Sequence, residues 1–390
     1  MTCFRSTFLL SVFVFVLGLA IPGPAKGQGT ADFQKFVDQA IAAGGGEVMI
    51  PPGTWVLEKG LFLKDAKNVT IAGLDRERCI LKLPPVAYAE ASQDAAAGAS
   101  EIPVTRLQNM KPGMRLRIEA PGAVDSFTKQ PTNFHLAAVK SVEKDKLILT
   151  EPLKYAVPIK TVIRDADAAN VIEIRGASEN ITLRNLTLDG GRTAADPAIR
   201  GHAELTGVHV AGKYTYEAGP TGPRVKGFTM DNCILQNFFG RGVSFYSVQE
   251  STITRCTFMD INDEAVNFDH FSENCLAKHN HITRARVAFE LNDAKACIVE
   301  ANEVRDSGIG VNLWRWCKHE DGINEGNRIV NNAFLNISGN AIQFGKGTKD
   351  NVVENNEITN AERNGISLSG TSQKLEKNQI TGAKLKAVSE

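Results

Sequence analysis

The sequence predicts an all-β fold, a single-stranded right-handed parallel β-helix, from three observations. An apolar–x–apolar triplet recurs once per coil, an asparagine recurs in step with it, and an amphipathic segment stands ready to cap the stack. The triplets are Val243-Ser244-Phe245, Val266-Asn267-Phe268, Val287-Ala288-Phe289, Val311-Asn312-Leu313, Ile342-Gln343-Phe344 and Ile366-Ser367-Leu368, with starts 23, 21, 24, 31 and 24 residues apart. Ile172-Glu173-Ile174 and Val208-His209-Val210 read as earlier members. A coil this small buries no core of its own, so neighbouring coils have to stack on it.

The second repeat consists of Asn232, Cys256, Asn280, Asn302, Asn332, Asn356 and Asn378, each two places before an apolar residue. An amide recurring once per coil can bond to its counterpart in the next coil, inside turns that tolerate left-handed backbone. Cys275 and Cys297 share another repeat position and read as stacked small apolar residues, with disulfide bonding open to them in an exported protein. At the other end, Phe33, Phe36, Val37 and Ile41 recur at helical spacing over Ala31 to Ala43, and Gly44-Gly45-Gly46 stops that helix.

Four segments follow. Residues 1–27 read as a signal peptide: Arg5, an apolar run from Phe8 to Ala20, then Pro22, Gly23 and Pro24 before a small-residue cleavage site. Residues 28–83 carry the cap and first coils, 84–168 a β-rich inserted module, and 169–390 the remaining coils. The module either overhangs the outer face or decorates the shaft. Lys+Arg and Asp+Glu are both 44, so bulk charge points to neither nucleic acid nor a membrane once the leader is removed. A secreted or periplasmic monomer is expected.

Strand alternation separates inward from outward side chains. The middle residues of the triplets form one outward column: Glu173, His209, Ser244, Asn267, Ala288, Asn312, Gln343 and Ser367. The next column reads Tyr246, Asp269, Glu290, Trp314, Gly345 and Ser369. Exposed charges on a solenoid are ordinarily a solvated face. Two carboxylates between two aromatics form a less ordinary set, because aromatic rings stack on sugars and adjacent carboxylates split each other's pKa. Asp269 and Glu290 are also a candidate Ca²⁺ pair. Arg241, Arg284 and Arg286 precede the strands, and His270, Arg315, Lys318 and His319 follow them, which suits an anionic polymer.

The stretch Gly44 to Trp55, GGGEVMIPPGTW, together with the coils, resembles the pectin-lyase-like β-helix proteins, a superfamily that includes pectate lyases and polygalacturonases. Asn262-Asp263-Glu264-Ala265-Val266-Asn267-Phe268 resembles the polygalacturonase segment with paired acids before a core strand, which implies inverting hydrolysis. Arg241, Ala285 and Asn312-Leu313-Trp314 stand where that family has its other motifs, so the usual polygalacturonase set is incomplete. Asn267-Phe268-Asp269-His270 resembles the Asp-Pro-His segment of alginate C5-epimerases without its proline.

These readings lead to an expected enzyme that cleaves a uronate-containing polysaccharide by β-elimination. Asp269, Glu290, Arg286 and His270 are its candidate catalytic residues. Arg241, Tyr246, Glu264, Asn267, Asn312, Trp314 and Arg315 are its candidate substrate contacts. A hydrolase or C5-epimerase of the same fold, and a non-catalytic glycan-binding or surface protein, are the alternatives.

Overall fold

The computed structural model describes residues 29–30, 33–119, 134–197, 204–215, 218–317 and 324–390. The expected leader, Lys318 and His319 lie outside the described residues. Each full coil contributes strands to three parallel ladders. Met230, Ile253, Ala277, Val299, Ile329 and Val353 lie in register on the first. Leu235, Phe258, Ile282, Val304, Phe334 and Ile358 lie on the second. Val210, Phe245, Phe268, Leu291, Leu313 and Phe344 lie on the third. All are buried in one continuous core. Like side chains therefore sit on like: the Phe245 and Phe268 rings stack with centroids 5.3 Å apart. Burying one such side chain is worth roughly 2 kcal/mol, gained only when the next coil is in place.

The asparagine ladder holds the turns. The Asn280 backbone N–H and side-chain amide both donate to Asn302 Oδ1, at 2.9 and 3.0 Å. Asn302 repeats this on Asn332, Asn332 on Asn356, and Asn356 on Asn378. The ladder residues do not themselves adopt left-handed backbone. Their predecessors do: His279, Ala301, Asn331, Asn355 and Lys377 have φ between 52 and 59°. The tight turn would orphan the N–H that follows, and the ladder amide accepts it.

Asn232 departs from the expected pattern. It occupies the left-handed position, with φ 50° and its amide on Asn185, while Cys233 takes the ladder place and donates its N–H to Cys256 Sγ at 3.5 Å. Asn232 and Cys233 are adjacent, and either can stand before an apolar strand, so periodicity alone does not choose between them. Cys275 and Cys297 are both free and buried.

The triplet Val287-Ala288-Phe289 is also displaced. Val266 pairs with Phe289, Asn267 with Glu290 and Phe268 with Leu291, so the true triplet is Phe289-Glu290-Leu291. The register shifts between Ile261 and Glu264, where one coil inserts an extra residue. A two-residue slip preserves the in–out alternation, so both frames look equally apolar from sequence.

At the N-terminal end the helix Gln34–Ala42 buries Val37, and Phe33 packs edge-on against Trp55 at 5.5 Å. A Cβ on Gly45, at φ 145°, would come within 2.9 Å of the Asn68 Cβ and carbonyl oxygen, so only glycine turns the chain into the first strand there. Six strands from Tyr88–Ala91 to Val162–Asp165 close into an antiparallel barrel with its own core around Ile102, Leu116, Ile118, Leu147 and Ile163. The barrel meets the coils through Tyr88 Oη donating to Asp196 at 2.9 Å, Arg164 on Glu204, and an apolar contact of Tyr88 with Leu205 and Phe239. No helix among the described residues is long and apolar enough to cross a membrane.

Asn302→Ala should lower stability by about 3 kcal/mol, since it orphans the Asn280 N–H and removes an amide partner on each side. Thr359→Ala, whose hydroxyl meets Thr381 on the exposed side, should cost about 0.5 kcal/mol. Urea unfolding midpoints check the difference.

Candidate functional site

The corrected register fixes what faces outward. One column runs Glu173, His209, Ser244, Asn267, Glu290, Asn312, Gln343 and Ser367. The other places Tyr246 beside Asp269, and Asn292 beside Trp314. Glu290 is therefore not stacked between Asp269 and Trp314 as expected. Asn292 holds that place, Glu290 lies next to Asn267 and Asn312, and Ala288 turns into the core.

Arg241, Tyr246, Glu264, Asn267 and Arg286, all expected, join Asp263 in an ionic knot whose two acids are buried. Arg241 bonds the Glu264 carboxylate through Nε and the Tyr246 hydroxyl through Nη1, the latter at 2.5 Å. Arg286 bonds Asp263 through Nε at 2.8 Å and reaches both Asp263 and Glu264 through Nη2. Asn267 donates its amide toward Glu264 and Asp269, and its buried Oδ1 accepts no hydrogen bond from the described residues. Neighbouring coils supply the two sides: Arg241 comes from the coil before the acids and Arg286 from the coil after.

Burial and crowding divide the carboxyls. Burial alone would raise Glu264, but Arg241 and Arg286 outweigh it and hold the group down to about 2. Burial, with Glu264 beside it, pushes Asp263 up to about 6. Burial, with repulsion from Glu264 and Asp269, pushes Glu290 up to about 8 against the opposing pull of the Asn312 bond and Arg286. Both effects favour the protonated form of Glu290, whose carboxyl accepts the Asn312 amide at 2.8 Å. Burial likewise raises the Tyr246 phenol well above 10, so it keeps its proton.

A second chain runs behind the first. His270 Nδ1 lies 2.7 Å from Asp293 and Nε2 lies 3.1 Å from Asp269. Asp293 accepts the backbone N–H groups of Trp316 and Cys317 at 2.7 and 2.8 Å. The Tyr214 ring stacks on Tyr246, 6.0 Å away and 11° from parallel, and lies 5.8 Å from His270. Trp316 lies 6.1 Å from His270. Tyr246 is therefore covered, which corrects its expected use as an open sugar platform.

Trp314 is only half-buried. Arg315 runs over Gly347, and Arg284 bonds Asp260 at 2.7 Å instead of joining the knot. The expected Ca²⁺ pair is split between the two columns: Glu290 lies beside Asn267 and Asn312, and Asp269 lies beside Tyr246 and accepts the His270 backbone N–H at 2.8 Å. Tyr214, Asp293 and Gln343 were not among the candidates. Tyr214 sits in the long excursion between triplets, where no period assigns a direction.

Residues 170–323 match a family model described as a right-handed beta helix region. The fold is a right-handed parallel β-helix. The resemblance to pectin-lyase-like proteins thus holds at the level of architecture. No curated protein sequence matches the chain. Among solved β-helix structures, a mannuronan C-5 epimerase A-module from Azotobacter vinelandii is 16% identical at TM-score 0.50, over 93% of this chain and 77% of that one. A polygalacturonase from Erwinia carotovora ssp. carotovora is 12% identical at TM-score 0.49, over 94% and 97%. The catalytic unit of an α-1,3-glucanase from Streptomyces thermodiastaticus is 12% identical at TM-score 0.43, and this chain spans 63% of its length.

Because burial raises Glu290 from 4.5 to about 8, its protonated form stabilises the fold fully below the lower value, and that contribution is lost as pH climbs through the higher one. Glu290→Gln should therefore lose less thermal stability than the parent between about pH 5 and about pH 8. Scanning calorimetry at both pH values checks this; equal losses would assign the titration to another group.

Proposed function

We propose that the chain is an exported, carbohydrate-active enzyme that cleaves a uronate-containing polysaccharide by β-elimination along the face from Tyr246 to Trp314. The outward place of Glu290 next to Asn312 and the charged knot, with its pKa raised by burial, carries this reading. Glu290 occupies an outward position beside Arg286, whose side chain is 39% exposed. Elimination breaks the C5–H and C4–O bonds of a uronate, forms the C4–C5 double bond and sends a proton to the leaving oxygen. The C5 proton is acidic enough only when the neighbouring carboxylate is neutralised. Arg286 supplies a cation for it, and a protonated Glu290 donates a hydrogen bond instead of repelling it.

His270, backed by Asp293, is the base in this reading, with its ring centroid 5.7 Å from that of Tyr246. The Tyr246 phenol, held by Arg241, is the proton donor to the leaving oxygen. Both lie under Tyr214, so substrate has to displace that ring. The likeness to a mannuronan C-5 epimerase module supports a polysaccharide ligand and C5 proton chemistry, since inversion at C5 also begins with loss of that proton. Balanced acidic and basic residues, 44 of each, give no reason to choose nucleic acid as the partner, and the signal peptide read from residues 1–27 would carry the chain, taken here as a monomer, out of the cytoplasm.

One observation favours hydrolysis as a second reading. A proton-bearing Glu290 near an ionised Glu264 has the division between acid and base that glycosidic hydrolysis uses.

Incubation with pectate, alginate and glycosaminoglycans should produce the ultraviolet absorbance of an unsaturated uronate. Glu290→Ala should lower kcat by about 100-fold or more. New reducing ends without that absorbance would replace elimination by hydrolysis, and binding without either product would leave a glycan-binding protein.

A further inference from the structure

Glu290 stands between two amides in its column. Asn267 lies in register on the coil before it and Asn312 on the coil after. Neighbouring strands are about 4.8 Å apart, which puts both amides within side-chain reach of the carboxyl.

On the Asn312 side the polarity is fixed by a chain of amides. Asn364 donates to Asn340 at 3.0 Å, Asn340 to Gln343 at 2.8 Å, Gln343 to Asn312 at 2.7 Å, and Asn312 to Glu290 Oε2 at 2.8 Å. Each member points an N–H toward Glu290.

On the Asn267 side the polarity is the reverse. Asn267 is fully buried, and its Nδ2 points at Glu264 Oε2 and Asp269 Oδ2, 3.5 and 3.4 Å away. An amide that turns its N–H groups to those acids turns its oxygen away from them. That oxygen accepts no hydrogen bond from the described residues. Its column neighbour on the other side, Ser244, is engaged with His209, with Oγ 2.8 Å from Nδ1. Glu290 is the remaining polar neighbour in the column.

An ionised Glu290 would set a negative oxygen against the Asn267 carbonyl dipole and leave a buried acceptor unmatched. A protonated carboxyl has one O–H to give and keeps an oxygen to receive. It can therefore take the N–H of Asn312 and donate to Asn267 at once.

We propose that Glu290 Oε1 carries a proton that Asn267 Oδ1 accepts, which makes Asn267 a positioning residue that holds the acid protonated and fixes the oxygen bearing the proton. The hydrogen-bond chain then runs unbroken in one direction, from Asn364 through Glu290 and Asn267 to Glu264 and Asp269. The charged groups facing Glu290 are Glu264, Asp269 and Arg286. Arg241 and Asp263 join them through bonds to Glu264 and Arg286. Glu264 and Asp269 favour the protonated acid, and Arg286 opposes it. The inference concerns the free protein and stands whatever the substrate is; in the elimination proposed above, a bound uronate carboxylate competes with Asn267 for this proton.

Infrared difference spectra between acid and alkaline protein test it, with the Glu290 carboxyl band identified by its loss in Glu290→Gln. The band should titrate above the ordinary carboxylate range. Removing an acceptor of the neutral form lowers a carboxyl pKa, and removing a donor to the charged form raises it. Asn267→Leu should therefore titrate below Asn312→Leu by about one pH unit or more. The two replacements change size and polarity alike, so their difference reports the direction of the bond each removes. Glu290→Gln offers Asn312 an oxygen and Asn267 an N–H, so below the midpoint it should melt close to the parent, while Glu290→Leu should melt lower. Melting curves establish that each variant is folded; where Asn267→Leu is not, Asn267→Ala is compared with Asn312→Ala. A parent midpoint in the ordinary carboxylate range, or midpoints equal or reversed between the two variants, would overturn the assignment. No substrate enters these measurements, so that outcome leaves the cleavage reading to its own product assay.

Discussion

In-register stacking of coils is the constraint on which the rest of the structure depends. Each side chain sits over its counterpart one coil away, so every outward or inward choice is repeated or compensated by a neighbour. Inside, this makes columns such as Phe245 on Phe268. In the turns it makes the amide ladder from Cys256 through Asn280 to Asn378. On the outer face it forces charge compensation between coils. Asp263 and Glu264 come from one coil, so Arg241 from the coil before and Arg286 from the coil after balance them. Removing one member would leave a buried uncompensated charge, whereas the intact set is close to neutral.

That compensation also creates the chemically unusual group. The two arginines are already engaged by Asp263 and Glu264, and Glu264 takes the charge most readily because both guanidiniums reach it. Glu290 lies one coil on, in the same buried field, with only an amide donor and part of the Arg286 potential. Repulsion from Glu264 and Asp269 adds to burial, and the Glu290 pKa is pushed up. The knot and the proton-bearing acid are two consequences of one uneven distribution of cations.

Fold and site differed in how far they were legible from sequence. The triplets at Val243, Val266, Val311 and Ile342, and the ladder from Asn280 onward, are repeats of chemical type, and their period survives any choice of starting frame. Glu290 shows where this fails. The run Val287-Ala288-Phe289-Glu290-Leu291 contains two overlapping apolar–x–apolar frames, and the deciding bulge lies a coil earlier, at Asn262 and Asp263. No local pattern in the later coil reports it. Asn232 failed for the same kind of reason, one residue off beside an equally small Cys233. Tyr214 was illegible because it belongs to an excursion with no period at all.

The cover over Tyr246 and the uncharged columns past Glu290 divide the outer face into two regimes. Tyr214 and Trp316 exclude water from Tyr246 and His270, and exclusion of water strengthens every charge interaction beneath them. Past Glu290 the face is half-open and built from amides whose strength does not depend on desolvated charge. In the proposed elimination, proton transfer belongs to the first region. Glu290 stands at their boundary, joined to the charged knot by its electrostatics and to the amide chain by its hydrogen bond to Asn312. A polymer lying along the shaft would contact both regions, so the covered region can be small: its grip would come from the open coils, and the knot needs to contribute only where a bond is broken.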